Sequence, residues 1–467
     1  MSRVEKDFLG ERELPDDVYY GVQTLRGKEN FHITGLAMSR EPVMVKAFGY
    51  VKKAAAMANH ECGVLDKTVA DAICKACDRL IAGDFVDQFV TDFIQGGAGT
   101  SVNMNANEVI ANVALEILGK PKGDYATVSP NDHVNCSQST NDTYPTSLKL
   151  AFIFRAQEYV KTLKALQAAF TAKGEEFDRV LKMGRTHLQD AVPMSMGREF
   201  KGFATLIAED VELTEQAIER LKVINMGATA IGTCVNTPEG YPQLVTKRLA
   251  ELTNMNISLS PDLVAATSDT TDMLHLSSVM KRTAVKLTKI CNDIRMLASG
   301  PRTGLGEIFL PQLQPGSSIM PGKVNPVIPE VVNQSCFLVI GLDTTVMLAA
   351  SGAQLQLNVM EPVIGYAVFT QLRTLQNAVD ALTEKCVKGI KANAKHTEKL
   401  VMNALGIVTQ LTPILGYKVC AEIAKEGFEK NKSLHDIVVV ERKLITQEKW
   451  DEVFSFDNLI NPHFIKN

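Results

Sequence analysis

Residues 368–382 read VFTQLRTLQNAVDAL. Val368, Leu372, Leu375, Val379 and Leu382 follow one another in steps of four, three, four and three, which places all five on one face of an α-helix. Such a face needs apolar partners, and the rest of the chain offers them. Proline breaks helix interiors, and five long stretches lack it: 146–192, 194–237, 262–300, 330–361 and 363–412. Leu276, Met280, Ala284, Leu287 and Ile294 repeat much the same spacing. Between Arg155 and Phe177, the residues Tyr159, Leu163, Leu166 and Phe170 are interspersed with lysines and glutamates. Strand-type alternation is scarce. The centre therefore reads as a bundle of about five long helices, all-α in class. A 30-residue helix spans about 45 Å, so the bundle is a rod. Loops at opposite ends of a rod do not meet within one chain. Asp142 precedes one long stretch and His187 lies near its far end, so a site containing both needs more than one subunit.

The chain divides by pattern into three parts. Residues 1–141 form a mixed, mostly helical N-terminal domain, with helical segments near 40–60, 68–82 and 104–118. Residues 142–395 form the central bundle. Residues 396–467 form a small helical C-terminal domain, in which SLHDIVVVERKLITQEKWDEVF (433–454) reads as a charged helix-turn-helix. At 467 residues the chain exceeds one ordinary core. Its 45% hydrophobic and 22% charged content is ordinary for a soluble globular protein. The net charge of -4 offers no basic field for nucleic acid or a membrane surface. The apolar run Cys336–Leu342 is seven residues long and soon meets Asp343, far short of the roughly 20 that span a bilayer. The N-terminus, MSRVEKDFLGERELPDD, has charges of both signs and no apolar core, so no signal peptide is expected. Nine cysteines, an odd number, suit a reduced, cytoplasmic chain. Cys74 and Cys77 form a lone CxxC. A zinc site needs a second pair, so these are expected to be half-buried thiols on a helix.

Four segments interrupt the helical pattern and concentrate small polar residues: GGAGTSVNMNANE (96–108), SPNDHVNCSQSTNDTYPT (129–146), GRTHLQDAVP (184–193) and SGPRTGLGEIFLPQLQPGSSIMPGKVNP (299–326). Each alone suits a solvated turn. Four together, each beside a long helix, point to a shared polar site. Neither Gly97-Ala98-Gly99 nor Gly304-Leu305-Gly306 has the third glycine of a dinucleotide turn, and Val324 after Lys323 rules out a phosphate loop. No HExxH, Cys/His cluster or Asp-rich calcium loop appears, so no catalytic metal and no organic cofactor is expected. Lys323 and His187 can hold carboxylates, with hydrogen bonds from Thr100, Ser139, Thr140, Thr186 and Asn325. That set suits a small dianion and proton abstraction next to a carboxylate, with the aci-carboxylate stabilised as in an oxyanion hole.

Taken together, the four segments resemble the aspartase/fumarase superfamily over essentially the whole chain, with GSSIMPGKVNP (316–326) as its signature. YYGVQTLRGKENF, FIQGGAGTSVNMNANEV, HVNCSQSTND, GRTHLQDAVPM, VIPEVVNQSCFLVIG and LQLNVMEPVIG add to it. Four features favour the aspartase branch over class II fumarases: Tyr20-Gly21-Val22-Gln23-Thr24, Gly99-Thr100-Ser101-Val102-Asn103, Ser139-Thr140-Asn141-Asp142, and Ser129 where fumarases tend to carry histidine. The resemblance implies three mostly helical domains with a central five-helix bundle. It also implies a homotetramer whose bundles pack into a twenty-helix core, each active site drawing on three chains. It implies reversible deamination of L-aspartate to fumarate and ammonia, with fumarase activity on L-malate as the alternative. Activation by a divalent cation, a property of some aspartases, has no local motif here.

By this resemblance Ser317 is the general base. Thr100, Ser139, Thr140 and Ser318 surround the β-carboxylate. Thr186, His187, Lys323 and Asn325 hold the α-carboxylate, with His187 from a neighbouring subunit, and Asn141 lies near the amino group. Cys136 departs from the lysine that relatives often carry. By residue type alone His187 would be the base, since histidine is the usual choice. A serine needs its alkoxide stabilised, by loop N–H groups or by Lys323.

Overall fold

The computed structural model describes residues 2–461. A hairpin, β1 (Ser2–Asp7) and β2 (Gly10–Pro15), precedes α1 (Val22–Asn30), α2 (Pro42–Glu61), α3 (Lys67–Ala82) and α4 (Thr100–Ile117). The long α5 (Thr140–Glu176) leads to a second hairpin, β3 (Leu181–Thr186) and β4 (Gln189–Ser195), and then α6 (Met196–Leu221). Next come β5 (Val223–Ile224), α7 (Tyr241–Thr253), β6 (Ser258–Leu259), α8 (Leu263–Ser268) and α9 (Thr271–Leu297). After β7 (Ile308–Phe309) follow α10 (Val327–Ser351), α11 (Glu361–Lys385) and β8 (Lys391–Ala392). The tail holds α12 (Ala394–Asn403), α13 (Thr412–Leu415), α14 (Tyr417–Lys430), α15 (Gln447–Val453) and α16 (Phe456–Ile460).

Helices dominate, and the strands form four two-stranded pairs among the described residues, so the all-α class stands. Each proline-free stretch holds one long helix: α5, α6, α9, α10 and α11. The five apolar residues that defined the pattern in α11 are each 1% exposed or less. The expected N-terminal segments appear as α2, α3 and α4.

Contacts divide the chain into two units. The first comprises Met1–Lys161, Asp210–Val285 and Ser335–Gln376; the second comprises Thr162–Glu209, Lys286–Gln334 and Asn377–Asn467. In the first, α2 packs closely on α3, where a Cβ on Gly49 would sit 2.9 Å from Ile81 and 3.1 Å from the Cys77 carbonyl. Both CxxC thiols lie on α3 as expected, Cys74 half-buried, but Cys77 is fully buried where a half-buried thiol was expected. Phe152 meets Phe369 edge to face at 4.9 Å. Glu41, fully buried at the start of α2, pairs with Arg155 at 2.9 Å and with Arg373. In the second unit Phe170, Phe177, Phe200 and Phe203 form an edge-to-face cluster. The tail closes a separate core around Val401, Leu411, Ile423, Ile437, Trp450 and Val453.

Three further expectations change. The stretch 146–192 is not helical throughout: α5 ends at Glu176 and a hairpin follows. Likewise α6 stops at Leu221 and α11 at Lys385. Finally, α5 starts at Thr140, ahead of Pro145, so proline lies inside it. Proline has no N–H and frees the carbonyl four residues back. That carbonyl belongs to Asn141, and Asn225 Nδ2 donates to it at 3.1 Å. The helix therefore tolerates Pro145 because a neighbouring loop fills the missing bond. Replacing Asn225 by alanine strands this carbonyl and is expected to cost roughly 1–3 kcal/mol, read as a lower urea midpoint at unchanged slope.

Candidate active site

The first unit holds two of the candidate segments. Helix α4 starts at Gly99, whose φ of 94° is left-handed. A Cβ there would lie 2.4 Å from the Tyr144 ring, so glycine is required. Thr100 opens the helix, and its Oγ1 donates to the Gly97 carbonyl at 2.7 Å. One turn on, Asn103 Nδ2 donates to Thr140 Oγ1 at 3.1 Å and to Asn135 Oδ1 at 3.2 Å. The second segment enters through a wide helical turn, Pro130–Val134, capped by Ser129 onto the Asp132 N–H. It continues into the first turn of α5.

Asp142 anchors that turn. Its buried carboxylate accepts N–H bonds from Ser139 at 3.0 Å, Thr229 at 2.8 Å and Gly227 at 3.2 Å. Burial pushes its pKa up to about 6, against the pull of those donors. Ser139 Oγ accepts the Asn141 N–H at 3.2 Å, and Asn141 Nδ2 donates to the Ala230 carbonyl at 2.8 Å. Ser139 and Thr140 thus each use an oxygen lone pair on an N–H donor. Each hydroxyl keeps its own proton to give to an anion. Thr100 differs, because its proton is engaged by Gly97.

The second unit holds the other two, a hairpin tip and a loop. β3 and β4 pair in antiparallel register from Leu181↔Ser195 to Thr186↔Gln189. The two-residue turn between them is His187-Leu188, with φ of 57° and 61°. Positive φ at both positions is the type I′ geometry that suits the strand twist. Thr186 and His187 are exposed there. Below them, Lys182 pairs with Glu199 at 2.7 Å and Glu307 at 3.2 Å, and Arg185 pairs with Glu307.

The loop 316–326 is clasped at its neck. Gly316 N–H donates to the Lys323 carbonyl at 2.7 Å, and Asn325 Nδ2 donates to the Gly316 carbonyl at 2.8 Å. Ser317 Oγ accepts two backbone N–H bonds, from Ile319 at 3.2 Å and Met320 at 3.0 Å. Ser318 and Lys323 are exposed, and no hydrogen bond or ion pair among the described residues engages the Lys323 ammonium. Ser317 therefore joins Asn325 through Gly316, and Ser139, Thr140 and Asn141 form one turn with Asn103 behind them.

Sequence reasoning passed over Asn103, Asn135, Gln138 and Lys52. Lys52 Nζ donates to Asn135 and Gln138 at 3.0 Å each. A signal was present: Lys52 falls on the buried stripe of α2 that includes Val45, Phe48, Ala55 and Asn59. Among the described residues, no three His, Cys, Asp or Glu side chains converge to hold a metal.

Comparison with known proteins places the chain in a family. The family model described as Lyase matches residues 10–341, and that described as Fumarase C C-terminus matches residues 407–461. The chain belongs to the aspartase/fumarase superfamily. Within the superfamily it is 52% identical to the aspartate ammonia-lyase of Helicobacter pylori over 464 residues, 99% of each chain. Of solved superfamily structures, a fumarate lyase:delta crystallin from Brucella melitensis superposes with a TM-score of 0.95 at 47% identity, covering 98% of this chain and 99% of that one. The class II fumarase of Schistosoma mansoni superposes at 0.94 with 33% identity, covering 99% and 100%.

Asp142 yields a pH test. A carboxyl whose folded pKa rises from 3.8 to about 6 binds its proton more tightly when folded. Its contribution to stability therefore falls as pH rises from about 4 to about 6, by up to about 3 kcal/mol. The stability of the wild type minus that of Asp142→Asn is expected to drop over this window and to level off above it. Urea titrations across the window read the slope.

Proposed function

We propose that this chain converts L-aspartate to fumarate and ammonia, reversibly, by anti elimination. The full-length identity to aspartate ammonia-lyase supports the reaction. The observation that carries the mechanism is the pair of backbone N–H bonds on Ser317 Oγ. Two N–H donors on one oxygen favour its anionic form. They supply what a serine base requires. Ser317 takes a proton from Cβ, and the electron pair moves into the β-carboxylate. The aci-carboxylate receives hydrogen bonds from Ser139 and Thr140, with Ser318 and, after its hydroxyl turns from Gly97, Thr100. The pair then returns to form the double bond, and the Cα–N bond breaks to release ammonia. Thr186, His187, Lys323 and Asn325 hold the α-carboxylate, and Asn141 lies near the amino group. The chemistry is assigned to these groups without a resident cofactor. Activation by a divalent cation is a separate property that a magnesium titration of the rate reads directly.

The working unit is a homotetramer of three-domain subunits (1–141, 142–395 and 396–467) with sites shared among three chains. Two features support this. The 37-residue α5 extends about 55 Å from end to end. Helix α10 leaves Phe337, Leu338 and Leu348 at 59%, 50% and 62% exposure, an apolar face suited to another copy. This helix is long and apolar enough to cross a membrane by composition. Its Asp343, however, bonds Ser277 and pairs with Lys281, which suits packed protein better than lipid. Nine free thiols suit a cytoplasmic location.

The likeness to a class II fumarase favours the second reading, hydration of fumarate to L-malate. Supplying L-aspartate and L-malate separately and following fumarate absorbance distinguishes them. Fumarate from malate alone would overturn the proposal. Ser317→Ala is expected to lower kcat by about 10²–10⁴-fold with fold and substrate binding retained. His187→Ala should weaken binding and slow turnover without eliminating it. Near-wild-type kcat in Ser317→Ala would return the base to His187.

A further inference from the structure

Lys52 is 0% exposed on α2. A buried ammonium needs acceptors, and it finds Asn135 Oδ1 and Gln138 Oε1, each at 3.0 Å. Burial pulls its pKa down to about 7, and the Asp142 carboxylate opposes that pull. Both acceptors belong to the segment that carries Ser139 and Thr140. Asn135 Oδ1 also receives Asn103 at 3.2 Å and Asn107 at 3.1 Å. Asn103 in turn donates to Thr140 Oγ1 at 3.1 Å. Gln138 is held further by Nε2 bonds to the carbonyls of Val134 and Cys136, both at 3.0 Å.

We propose that Lys52 is a positioning residue for the carboxylate that Ser139 and Thr140 receive. Its ammonium pins Asn135 and Gln138. Asn135 fixes the Asn103 amide, and that amide sets the direction in which Thr140 presents its proton. Lys52 touches no substrate atom; it acts through Asn135 and Asn103. The inference rests on the reading that these hydroxyls take the β-carboxylate. It goes further by tracing their orientation to one buried charge.

Neutralising Lys52 strands no acceptor. Asn135 Oδ1 keeps two amide donors. Gln138 Oε1 keeps the Thr143 hydroxyl at 3.2 Å, and Asp142 keeps three N–H bonds. Lys52→Met is therefore expected to fold, with looser control of the Asn103 amide.

The test uses the full chain and two competitive inhibitors. Succinate has both carboxylates, whereas L-alanine has the α-carboxylate and amine but no β-carboxylate. In Lys52→Met the inhibition constant of succinate is expected to rise about tenfold or more, with KM for L-aspartate following it. That of L-alanine should stay within about twofold. Parallel weakening of both inhibitors would mean a merely structural lysine and would overturn the proposal, as would no change in either. A wild type that neither turns over L-aspartate nor binds succinate would instead refute the reading of the site. Lys52→Gln keeps two N–H donors without the charge and undergoes the same pair of measurements. A succinate constant unchanged in whichever variant folds decides against Lys52.

Discussion

A single buried carboxylate in the first turn of α5 draws two distant segments of the first unit onto one geometry. Asp142 accepts N–H bonds from Ser139, just before it, and from Gly227 and Thr229, more than eighty residues on. The N-terminal turn of a helix favours negative charge, so the helix itself offsets part of the burial cost. The same loop fixes Asn141 on both sides. Asn225 donates to its carbonyl, which Pro145 left without a partner, and the Ala230 carbonyl receives its side-chain amide. A proline inside a helix and a carboxylate inside a core are each costly alone. Together they oblige one loop to lie against one turn, and that turn carries three of the proposed site residues.

A second constraint is the direction of hydroxyl protons. A site for a dianion needs donors, and a hydroxyl whose oxygen already accepts a bond from behind is oriented to give its proton forward. Asn103 gives that bond to Thr140, and the Asn141 N–H gives it to Ser139. The loop 316–326 applies the same rule with a different result. Ser317 Oγ receives two N–H bonds instead of one. One donor leaves a hydroxyl ready to give its proton; two begin to stabilise the oxygen without it. On the proposed roles, the difference between a carboxylate donor and a base lies in the backbone around otherwise similar side chains.

Much of the fold was legible because buried helix faces must repeat every three to four residues. Val368 to Leu382 showed that repeat, and all five marker residues are buried. The hairpins were not legible, for identifiable reasons. The first, Ser2–Pro15, inverts the usual alternation: Val4 is exposed and Glu5 is buried, accepting bonds from the Val22 N–H and the Tyr125 hydroxyl. The second turns at His187-Leu188, with neither glycine nor asparagine to mark positive φ. Proline misled at the start of α5, because a bond from Asn225, far away in sequence, decides whether Pro145 ends the helix. Of the candidate site, the polar segments could be read from the sequence. Of their supports, Asn103 and Asn135 lie within those segments, where nothing in their spacing singles them out, and Lys52 lies on α2 with no local motif.

The His187-Leu188 turn shows what such a support is for. Two side-chain-bearing residues at positive φ store strain on the order of 1–3 kcal/mol each. An isolated hairpin with that turn would open or slip. Here the strand beneath is fastened by Lys182 and Arg185 onto the fully buried Glu307, and by Lys182 onto Glu199. Leu181 and Met183 pack into the core of the tail. Glycine at the tip would relieve the strain but would remove the imidazole and let the turn flex. The ion pairs below make the strained form affordable, and the strain fixes the backbone that aims His187. Rigidity is thus generated at the base of the hairpin and expressed at its exposed end, where the side chain proposed to hold the α-carboxylate stands.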